Sequence, residues 1–192
     1  KEKLNQLADS HAHQGVIAKA EPIAYWSLDQ LITKAQENSE QPLIVLLDEI
    51  QDPHNLGAIL RTAEAAGADG IVIPKRRAVG LTPVVAKASA GAVEYLPVAQ
   101  VTNLARSLDQ LKEAGFWITG ADMAGDRLYH QVDFGGAVGL VIGSEGSGIR
   151  RLVKEKCDFL VNLPLQGNIS SLNASVAAGI LIYEVQRQQT NE

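Results

Sequence analysis

A continuous apolar run at residues 43–47 constrains the fold of this chain more than any other feature. The run, Leu-Ile-Val-Leu-Leu, lacks polar alternation, which is typical of a strand buried on both faces of a parallel sheet. Five shorter apolar runs follow, and segments with helical periodicity separate most of them. This alternation predicts an α/β fold with a mainly parallel sheet flanked by helices. The predicted strands are 43–47, 70–73, 94–98, 116–119, 138–142 and 159–163, and the predicted helices are 28–38, 56–66, 82–89, 102–114, 148–155 and 171–188.

The first 41 residues differ from the rest of the chain. Residues 1–20 are polar with few apolar anchors, and Ser27 can cap a short helix over 28–38. We expect residues 1–41 to be the tail of an upstream element plus a linker, and residues 42–192 to form the main α/β domain. The only methionine is Met123, so Lys1 is not expected to be the natural start.

Composition excludes several classes of protein. Hydrophobic residues make up 46% of the chain and the net charge is −5, which excludes an intrinsically disordered protein. No apolar run approaches the roughly 20 residues of a membrane-spanning helix. The single cysteine, Cys157, cannot form an internal disulfide, which favours a reducing, cytoplasmic location. A pI near 5.4 gives no support to nucleic-acid binding, so an RNA role would depend on local basic patches at 75–77 and 150–151 or on a segment outside this chain.

Fingerprints of several enzyme classes are absent from the sequence. It contains no P-loop, no G-x-G-x-x-G dinucleotide motif and no G-x-S-x-G nucleophile elbow. His11 and His13 lack acidic partners at a metal-binding spacing, and His130 lies in a polar loop. The sequence therefore predicts no metal site.

The first segment with a functional signal is 52–63, directly after the first predicted strand. Asp-Pro at its start favours a turn, and Asn55 is a good N-cap for the helix that follows. On that helix Arg61 points away from the apolar stripe, toward the side that carries Gly57 and Ala65. Small residues beside a cation would leave room for a phosphate or a ribose, although a capping Asn and a surface Arg explain the same pattern without a ligand.

The second segment, 141–150, places three glycines between a buried strand and a helix. Ligands of parallel sheets bind at this edge, and glycines let backbone N–H groups approach them closely. Glu145 would repel a phosphate, so we expect a neutral or cationic ligand with ribose or adenine groups. A glycine-rich turn capped by Ser is the structural alternative.

The third segment, 163–179, passes from a strand through a polar loop into an apolar helix. Ser171 and Asn173 lie at the helix start, where such residues usually only cap. The helix is apolar on nearly all sides, which predicts burial in the core or against a second copy of the chain.

In this order, the three segments resemble the SpoU/TrmH family of the SPOUT class, which are S-adenosylmethionine-dependent RNA ribose 2′-O-methyltransferases. The first matches Asp-Pro-x-Asn-Leu-Gly-x-x-x-Arg-Thr-Ala at 52–63, and the second matches Ile-Gly-Ser-Glu-Gly-x-Gly at 142–148. The third matches Leu-Pro at 163–164 and Ser-Leu-Asn-Ala-Ser at 171–175. The similarity covers about 43–188, and it implies that residues 42–192 form the methyltransferase catalytic domain.

Within the family, the chain resembles the bacterial enzymes that methylate a guanosine of 23S rRNA in the peptidyl-transferase-centre loop. His-Gln-Gly-Val at 13–16 is similar to the end of their N-terminal RNA-binding domain, most of which would then be missing here. That domain would supply much of the RNA affinity that the acidic pI does not explain. The resemblance implies a role in ribosome biogenesis.

The resemblance also implies a C-terminal trefoil knot, which general rules of chain connection would not predict. It implies S-adenosylmethionine bound in the knot, a homodimer through the C-terminal helix region, 23S rRNA as partner, and neither a metal nor a membrane. Carried onto this chain, the cofactor-binding residues are Gly143, Leu163 and Leu172, with Ile142, Gly146 and Ile169 beside them. The catalytic and RNA-facing residues are Asn55, Arg61, Glu145, Ser171 and Asn173.

Three alternatives stay open at this level. A tRNA or resistance ribose methyltransferase of the same family would carry the same three motifs. A non-catalytic RNA-binding module in ribosome assembly could keep the fold without the chemistry. A nucleotide-binding oxidoreductase is disfavoured because its phosphate fingerprint is absent.

Overall fold

The computed structural model describes residues 23–190, and a seven-stranded parallel sheet forms its centre. The strand order is β3-β2-β1-β6-β4-β7-β5, and every neighbouring pair is parallel. The strands are β1 (Leu43–Asp48), β2 (Gly70–Pro74), β3 (Val98–Val101), β4 (Trp117–Ala121), β5 (Arg127–Leu128), β6 (Val138–Gly143) and β7 (Phe159–Asn162). The predicted parallel α/β sheet is confirmed.

Six α-helices cover the two faces of the sheet in this part of the chain. The helices are α1 (Leu28–Asn38), α2 (Pro53–Ala65), α3 (Pro83–Ala88), α4 (Leu104–Glu113), α5 (Arg151–Lys154) and α6 (Ala174–Thr190). One hydrophobic cluster packs α2, α3 and α6 against one face, and a second packs α1, α4 and α5 against the other. All six residues of β1 are buried, as the continuous apolar run predicts.

The carboxyl ends of the central strands form one edge of the sheet. The strands β2 and β3 lie on one side of β1, and β6 and β4 lie on the other. Asp48 at the end of β1 is in register with Gly143 at the end of β6. Ligands of open parallel sheets bind where the strand order reverses in this way. The loops after β1, β4, β6 and β7 all emerge at this edge.

Two predicted elements differ from the structure, and one observed strand was not predicted. The predicted strand 94–98 is wrong, because the chain forms a 3-10 turn at Ala92–Glu94 and enters the sheet only at Val98. Tyr95, directly after that turn, is 79% exposed, and Pro97 has no N–H for a sheet ladder. The helix predicted over 148–155 shortens to α5, because Gly148 adopts a left-handed φ of 64°. The strand β5 was not predicted.

The helix α1 forms with the predicted bounds and the predicted cap. The backbone N–H of Gln30 donates to Ser27 Oγ at 3.2 Å, and Leu31 and Ala35 are fully buried against the sheet. Residues 1–22, with His11, His13 and most of the predicted tail, lie outside the described residues. The boundary at 41/42 and the knot stay predictions. Within 23–190, no helix is long and apolar enough to cross a membrane.

Candidate functional site

A cavity of about 370 Å³ opens at the carboxyl edge of β4, β6 and β7. Its size lies in the usual range for small-molecule sites, about 300–1,000 Å³. Apolar side chains form much of its wall, and the backbone of a glycine-rich loop forms another part. The lining residues are 121–124, 142–148, Lys154, Val161, Leu163, Leu165, Ser171, Leu172, Ala174 and Ala177.

The glycine-rich loop 143–148 is a tight, closed turn after β6. Two hydrogen bonds close it, from Ser144 N to Gly148 O at 3.2 Å and from Gly148 N to Ser144 O at 2.9 Å. A Cβ on Gly143 would lie 2.2 Å from the carbonyl carbon of Gly148, so only glycine fits there. Gly146 has no atom near its Cβ position and leaves the loop backbone open.

A buried ion pair anchors the far end of this loop. Asp48 is fully buried, and its two carboxylate oxygens accept the backbone N–H of Arg150 at 2.8 Å and the guanidinium Nη2 and Nε at 2.6 and 2.8 Å. The hydrogen bonds to Asp48 raise the pKa of Arg150. Neither residue was predicted as part of the site, although Arg150 lies in a basic patch and Asp48 directly follows the predicted central strand, where a buried carboxylate needs a partner.

Three of the predicted catalytic residues form one hydrogen-bonded cluster at the cavity mouth. Glu145 Oε1 accepts Nδ2–H bonds from Asn55 at 2.9 Å and from Asn173 at 2.5 Å, together with the backbone N–H of Ala174 at 3.1 Å. Asn173 Nδ2 also donates to Asn55 Oδ1 at 2.9 Å. The cluster joins the three sequence segments, which are far apart in the chain, at a single point.

Asn55 does not have its predicted capping role, whereas Asn173 keeps its own and also joins the cluster. Asp52, not Asn55, caps α2 by accepting the backbone N–H of His54 at 2.8 Å. Asn55 is buried in the first helical turn, so its amide is available to the cluster. Asn173 does both, because its Oδ1 accepts the backbone N–H of Ser175 at 3.0 Å while its Nδ2 serves the cluster.

Arg61 lies apart from this cluster. It follows Asn55 by about 9 Å along the axis of α2, and its side chain is exposed. Within residues 23–190 no hydrogen bond or ion pair holds Arg61. Gly57, one of the two small residues predicted beside it, does not leave room for a ligand, because a Cβ there would lie 2.4 Å from Ala88 Cβ. Gly57 instead allows α2 and α3 to pack closely.

The remaining predicted residues divide into two groups. Ser171 lines the cavity, as do Ile142, Gly143, Gly146, Leu163 and Leu172 from the predicted cofactor set. Ile169 does not line it and is 77% exposed.

Sequence reasoning missed the wall that the loop after β4 contributes. Asp122 lies directly after that strand and forms an ion pair with Lys154 Nζ at 2.5 Å, and both residues line the cavity. Their position after a predicted strand, at the edge where the other motifs converge, is the signal that could have identified them. Among residues 23–190, no group of three or more His, Cys, Asp or Glu side chains could hold a metal ion.

The donor set of the cavity fits an adenosine ligand with a positive charge better than an anion. Glu145 and Asp122 supply two carboxylates against the one ammonium of Lys154. The leucine and valine wall suits an adenine ring, and the open loop backbone offers hydrogen-bonding groups.

The family model for the SpoU rRNA methylase family matches residues 42–183. The chain belongs to the SpoU rRNA methylase family. It is 56% identical over 189 residues to YacO of Bacillus subtilis, named as a TrmH family tRNA/rRNA methyltransferase, with 98% of this chain and 76% of that protein covered. It is 51% identical over 187 residues to a tRNA/rRNA methyltransferase of Synechocystis, with 97% of this chain and 49% of that protein covered.

Solved structures of family members have the same fold. AviRb of Streptomyces viridochromogenes in complex with the cofactor AdoMet is 34% identical with a TM-score of 0.73, over 78% of this chain and 58% of that one. An AdoMet-bound rRNA methyltransferase of Sinorhizobium meliloti is 30% identical with a TM-score of 0.78, over 85% of this chain and 61% of that one. The chain therefore spans about three-fifths of these two proteins.

Proposed function

We propose that this chain transfers a methyl group from S-adenosylmethionine to the ribose 2′-hydroxyl of a guanosine in 23S rRNA. The observation that carries the proposal is the cluster of Asn55, Glu145 and Asn173 at the mouth of an adenosine-sized cavity. Family membership and the AdoMet-bound relatives support the cofactor. The single cysteine and the ribosomal substrate favour a cytoplasmic site of action.

The cavity residues would bind the cofactor mainly through backbone and apolar contacts. Leu163, Leu165 and Leu172 supply apolar surface, and the loop around Gly146 supplies N–H and C=O groups. When bound, S-adenosylmethionine supplies an electrophilic methyl group on a sulfonium centre. Asp122 and Lys154 would hold polar groups of the cofactor.

The chain must also orient the ribose hydroxyl and stabilise charge on its oxygen. The cluster offers amide and carboxylate groups that can hold the ribose in line for transfer. The Arg61 guanidinium stays protonated in proteins, so its direct role would be to bind an RNA phosphate and stabilise the developing alkoxide. The hydroxyl proton would leave to that phosphate or to solvent as the methyl bond forms.

A homodimer through α6 would complete the site. Val176, Ile180 and Tyr183 recur on one side of α6 at spacings of four and three residues, and they are 50%, 38% and 50% exposed. An exposed apolar stripe of this kind is typical of an interface. A second copy seated here would shelter the stripe and supply groups to the separated Arg61.

A tRNA ribose methyltransferase is the second candidate. The relatives that are about half identical to this chain are named as tRNA/rRNA methyltransferases, without a choice between the two substrates. The cluster and the cavity do not distinguish the two substrates, because they would contact only the ribose and the cofactor, which both reactions share. A non-catalytic assembly module is disfavoured by the intact cluster.

Transfer of labelled methyl from S-adenosylmethionine to unmodified 23S rRNA fragments and, separately, to tRNA tests the proposal. Label on a guanosine 2′-oxygen of 23S rRNA supports it, and label on tRNA alone favours the second candidate. Binding of S-adenosylmethionine without transfer to either RNA would overturn the methyltransferase assignment for these substrates.

The variant Arg61→Ala separates chemistry from cofactor binding. Because Arg61 lies outside the cavity, we expect R61A to lose at least about 100-fold in transfer rate, the usual scale for one charge-stabilising group. The dissociation constant for S-adenosylmethionine, measured by calorimetry, should change less than twofold. If a folded R61A lost both methyl transfer and cofactor binding, the proposed separation of the two roles would be contradicted.

A further inference from the structure

A basic loop lies between β2 and α3, at the same edge of the sheet as the cavity. Lys75, Arg76 and Arg77 form this basic loop, and all three side chains are exposed. The chain has no acidic residue between Asp69 and Glu94, although its net charge is −5. The methyltransferase site described above does not use these three cations.

The segment that carries the basic loop is held at several points. Lys75 N donates to Val101 O at 2.8 Å, and Val79 N donates to Ile50 O at 2.9 Å. Further along, the backbone N–H of Leu81 donates to the hydroxyl of Tyr25 at 2.7 Å. The loop is therefore preordered, and a ligand that binds it loses less free energy to ordering the chain.

The three cations of the basic loop are not equivalent. Arg77 Nη1 pairs with Glu49 Oε1 at 3.3 Å, and the same oxygen lies 3.5 Å from Arg150 Nε. Glu49 and Arg77 both have left-handed backbone conformations, with φ of 62° and 59°. Within the described part of the chain, no carboxylate lies within ion-pair distance of Lys75 or Arg76. These two cations are therefore free to bind an external anion.

The basic loop lies close to the reacting centre. The end of β2 is two strands from the end of β6, which is about 10 Å across the sheet. Glu49 also links the loop physically to Arg150, the residue that anchors the glycine-rich loop of the cavity. An RNA that presents its ribose to the cluster would pass within reach of Lys75 and Arg76.

We propose that Lys75 and Arg76 bind phosphates of the substrate RNA beside the methylated nucleotide, which gives this chain an RNA-binding surface of its own. The proposal rests on the proposed function. Lys and Arg contacts to phosphates hold a nucleic acid in register without reading its sequence. The surface therefore supplies affinity and position, while the choice of nucleotide is made elsewhere.

The test compares two double variants of the full 192-residue chain. K75A/R76A removes the two free cations, and K34A/K112A removes the same charge at the opposite edge, where Lys112 pairs with Asp158. An unmodified 23S rRNA transcript and a tRNA transcript are the probes, bound over a series of salt concentrations. Calorimetry with S-adenosylmethionine and thermal unfolding check the cavity and the fold.

We expect K75A/R76A to weaken binding of both RNAs about tenfold near 0.1 M salt. The slope of log K against log salt should fall by about 1 to 2, because each lost phosphate contact reduces it by nearly one. K34A/K112A should bind within twofold of the wild type. Cofactor binding should be the same in all three proteins.

Each other outcome gives a definite answer. If the wild type methylates RNA and K75A/R76A matches K34A/K112A in affinity and slope, the inference is overturned and the proposed function stands. A loss confined to one of the two RNAs would overturn sequence-independent phosphate binding. If the wild type binds neither RNA, the inference is overturned, and the methyl-transfer assay alone decides the proposed function.

Discussion

At the scale of the residue, the carboxylate of Glu145 contributes a negative charge to the cavity. One of its carboxylate oxygens accepts three N–H bonds, from two side-chain amides and one backbone amide. Bonds to a charged acceptor are stronger than neutral ones, so the group is firmly positioned. No cation of the described chain pairs with it. Its negative charge is therefore not neutralised by an ion pair within the described residues and can attract a positively charged ligand in the cavity.

The variant Glu145→Gln should distinguish charge from position. The glutamine oxygen can still accept the same bonds, whereas the charge is lost. Because S-adenosylmethionine carries a sulfonium charge and S-adenosylhomocysteine does not, we expect E145Q to weaken the first ligand more, by about 1 kcal/mol or fivefold. Calorimetry with both ligands measures the ratio. An equal loss of affinity for both ligands would show that Glu145 contributes through its position and hydrogen bonds and not through its charge.

Cys157 should be inert in the folded protein. Burial raises the pKa of the Cys157 thiol from 9.0 to about 12, and its Sγ lies 2.8 Å from the Cβ position of Gly120. At pH 8 this leaves roughly 1,000-fold less thiolate, which is the reactive form. We expect alkylation by iodoacetamide to be slow in buffer and fast in denaturant, as followed by mass spectrometry. Equal rates would contradict the burial, and the single cysteine makes the denatured chain a clean reference.

At the scale of elements, β1, β6 and the start of α5 act as one unit. Asp48 at the end of β1 binds the backbone and the side chain of Arg150, so the glycine-rich loop between β6 and α5 is held at both ends. The loop therefore depends on a buried carboxylate that has no direct contact with the cavity. Its geometry is set by two strands and one ion pair.

Replacing Arg150 should loosen this unit. We expect R150A to lower the free energy of unfolding by about 1.5–3 kcal/mol, because Asp48 would stay buried with fewer partners. R150K keeps the charge without the two-pronged contact and should fall between R150A and the wild type. R151A is the matched control, since the Arg151–Glu155 pair is exposed and worth little. Denaturant unfolding measures all three, and R150A no less stable than R151A would refute the anchor.

The elements that the sequence predicts correctly are those with an unambiguous period. The apolar run at 43–47 and the helix over 28–38 agree with the structure because burial alone specifies them. The strand predicted at 94–98 is wrong because its apolar residues lie in a turn that precedes the strand and not in the sheet itself. The two-residue strand β5 is too short to have a period at all.

The candidate site was predictable only through its motifs. Asn55, Glu145 and Asn173 meet as the ordered segments suggested, because β1, β6 and β7, the strands that precede them in the chain, end at the same edge of the sheet. Asp122 and Lys154 were missed, since their pairing depends on two loops whose approach no local pattern encodes. The separation of Arg61 from the cluster could not be predicted either. Helical periodicity shows which face of α2 carries Arg61, but not which residues of other elements lie near that face.

At the scale of the whole molecule, a cation without a partner among the described residues and an exposed apolar stripe lie on neighbouring helices. Arg61 is exposed on α2, and the apolar stripe is exposed on α6, which packs beside it. Gly179 of α6 would bring a Cβ within 3.6 Å of Thr62 Cγ2, so the two helices are close. A second copy that covered the stripe would therefore also approach Arg61.

The variant Ile180→Arg should separate the copies without unfolding the chain. Ile180 lies at the centre of the stripe and is 38% exposed, so an arginine there can extend into solvent in a single copy. In a dimer the same arginine would be buried without a partner, at a cost of several kcal/mol. We expect a dimeric wild type and a monomeric I180R by sedimentation equilibrium, with methyl transfer lost in I180R.

The matched control is Leu152→Arg, which introduces the same side chain at a 59% exposed position on α5, away from the stripe. L152R should sediment as the wild type does and should keep its cofactor affinity. A wild type that is monomeric at micromolar concentration, or an I180R that stays dimeric, would exclude α6 as the interface.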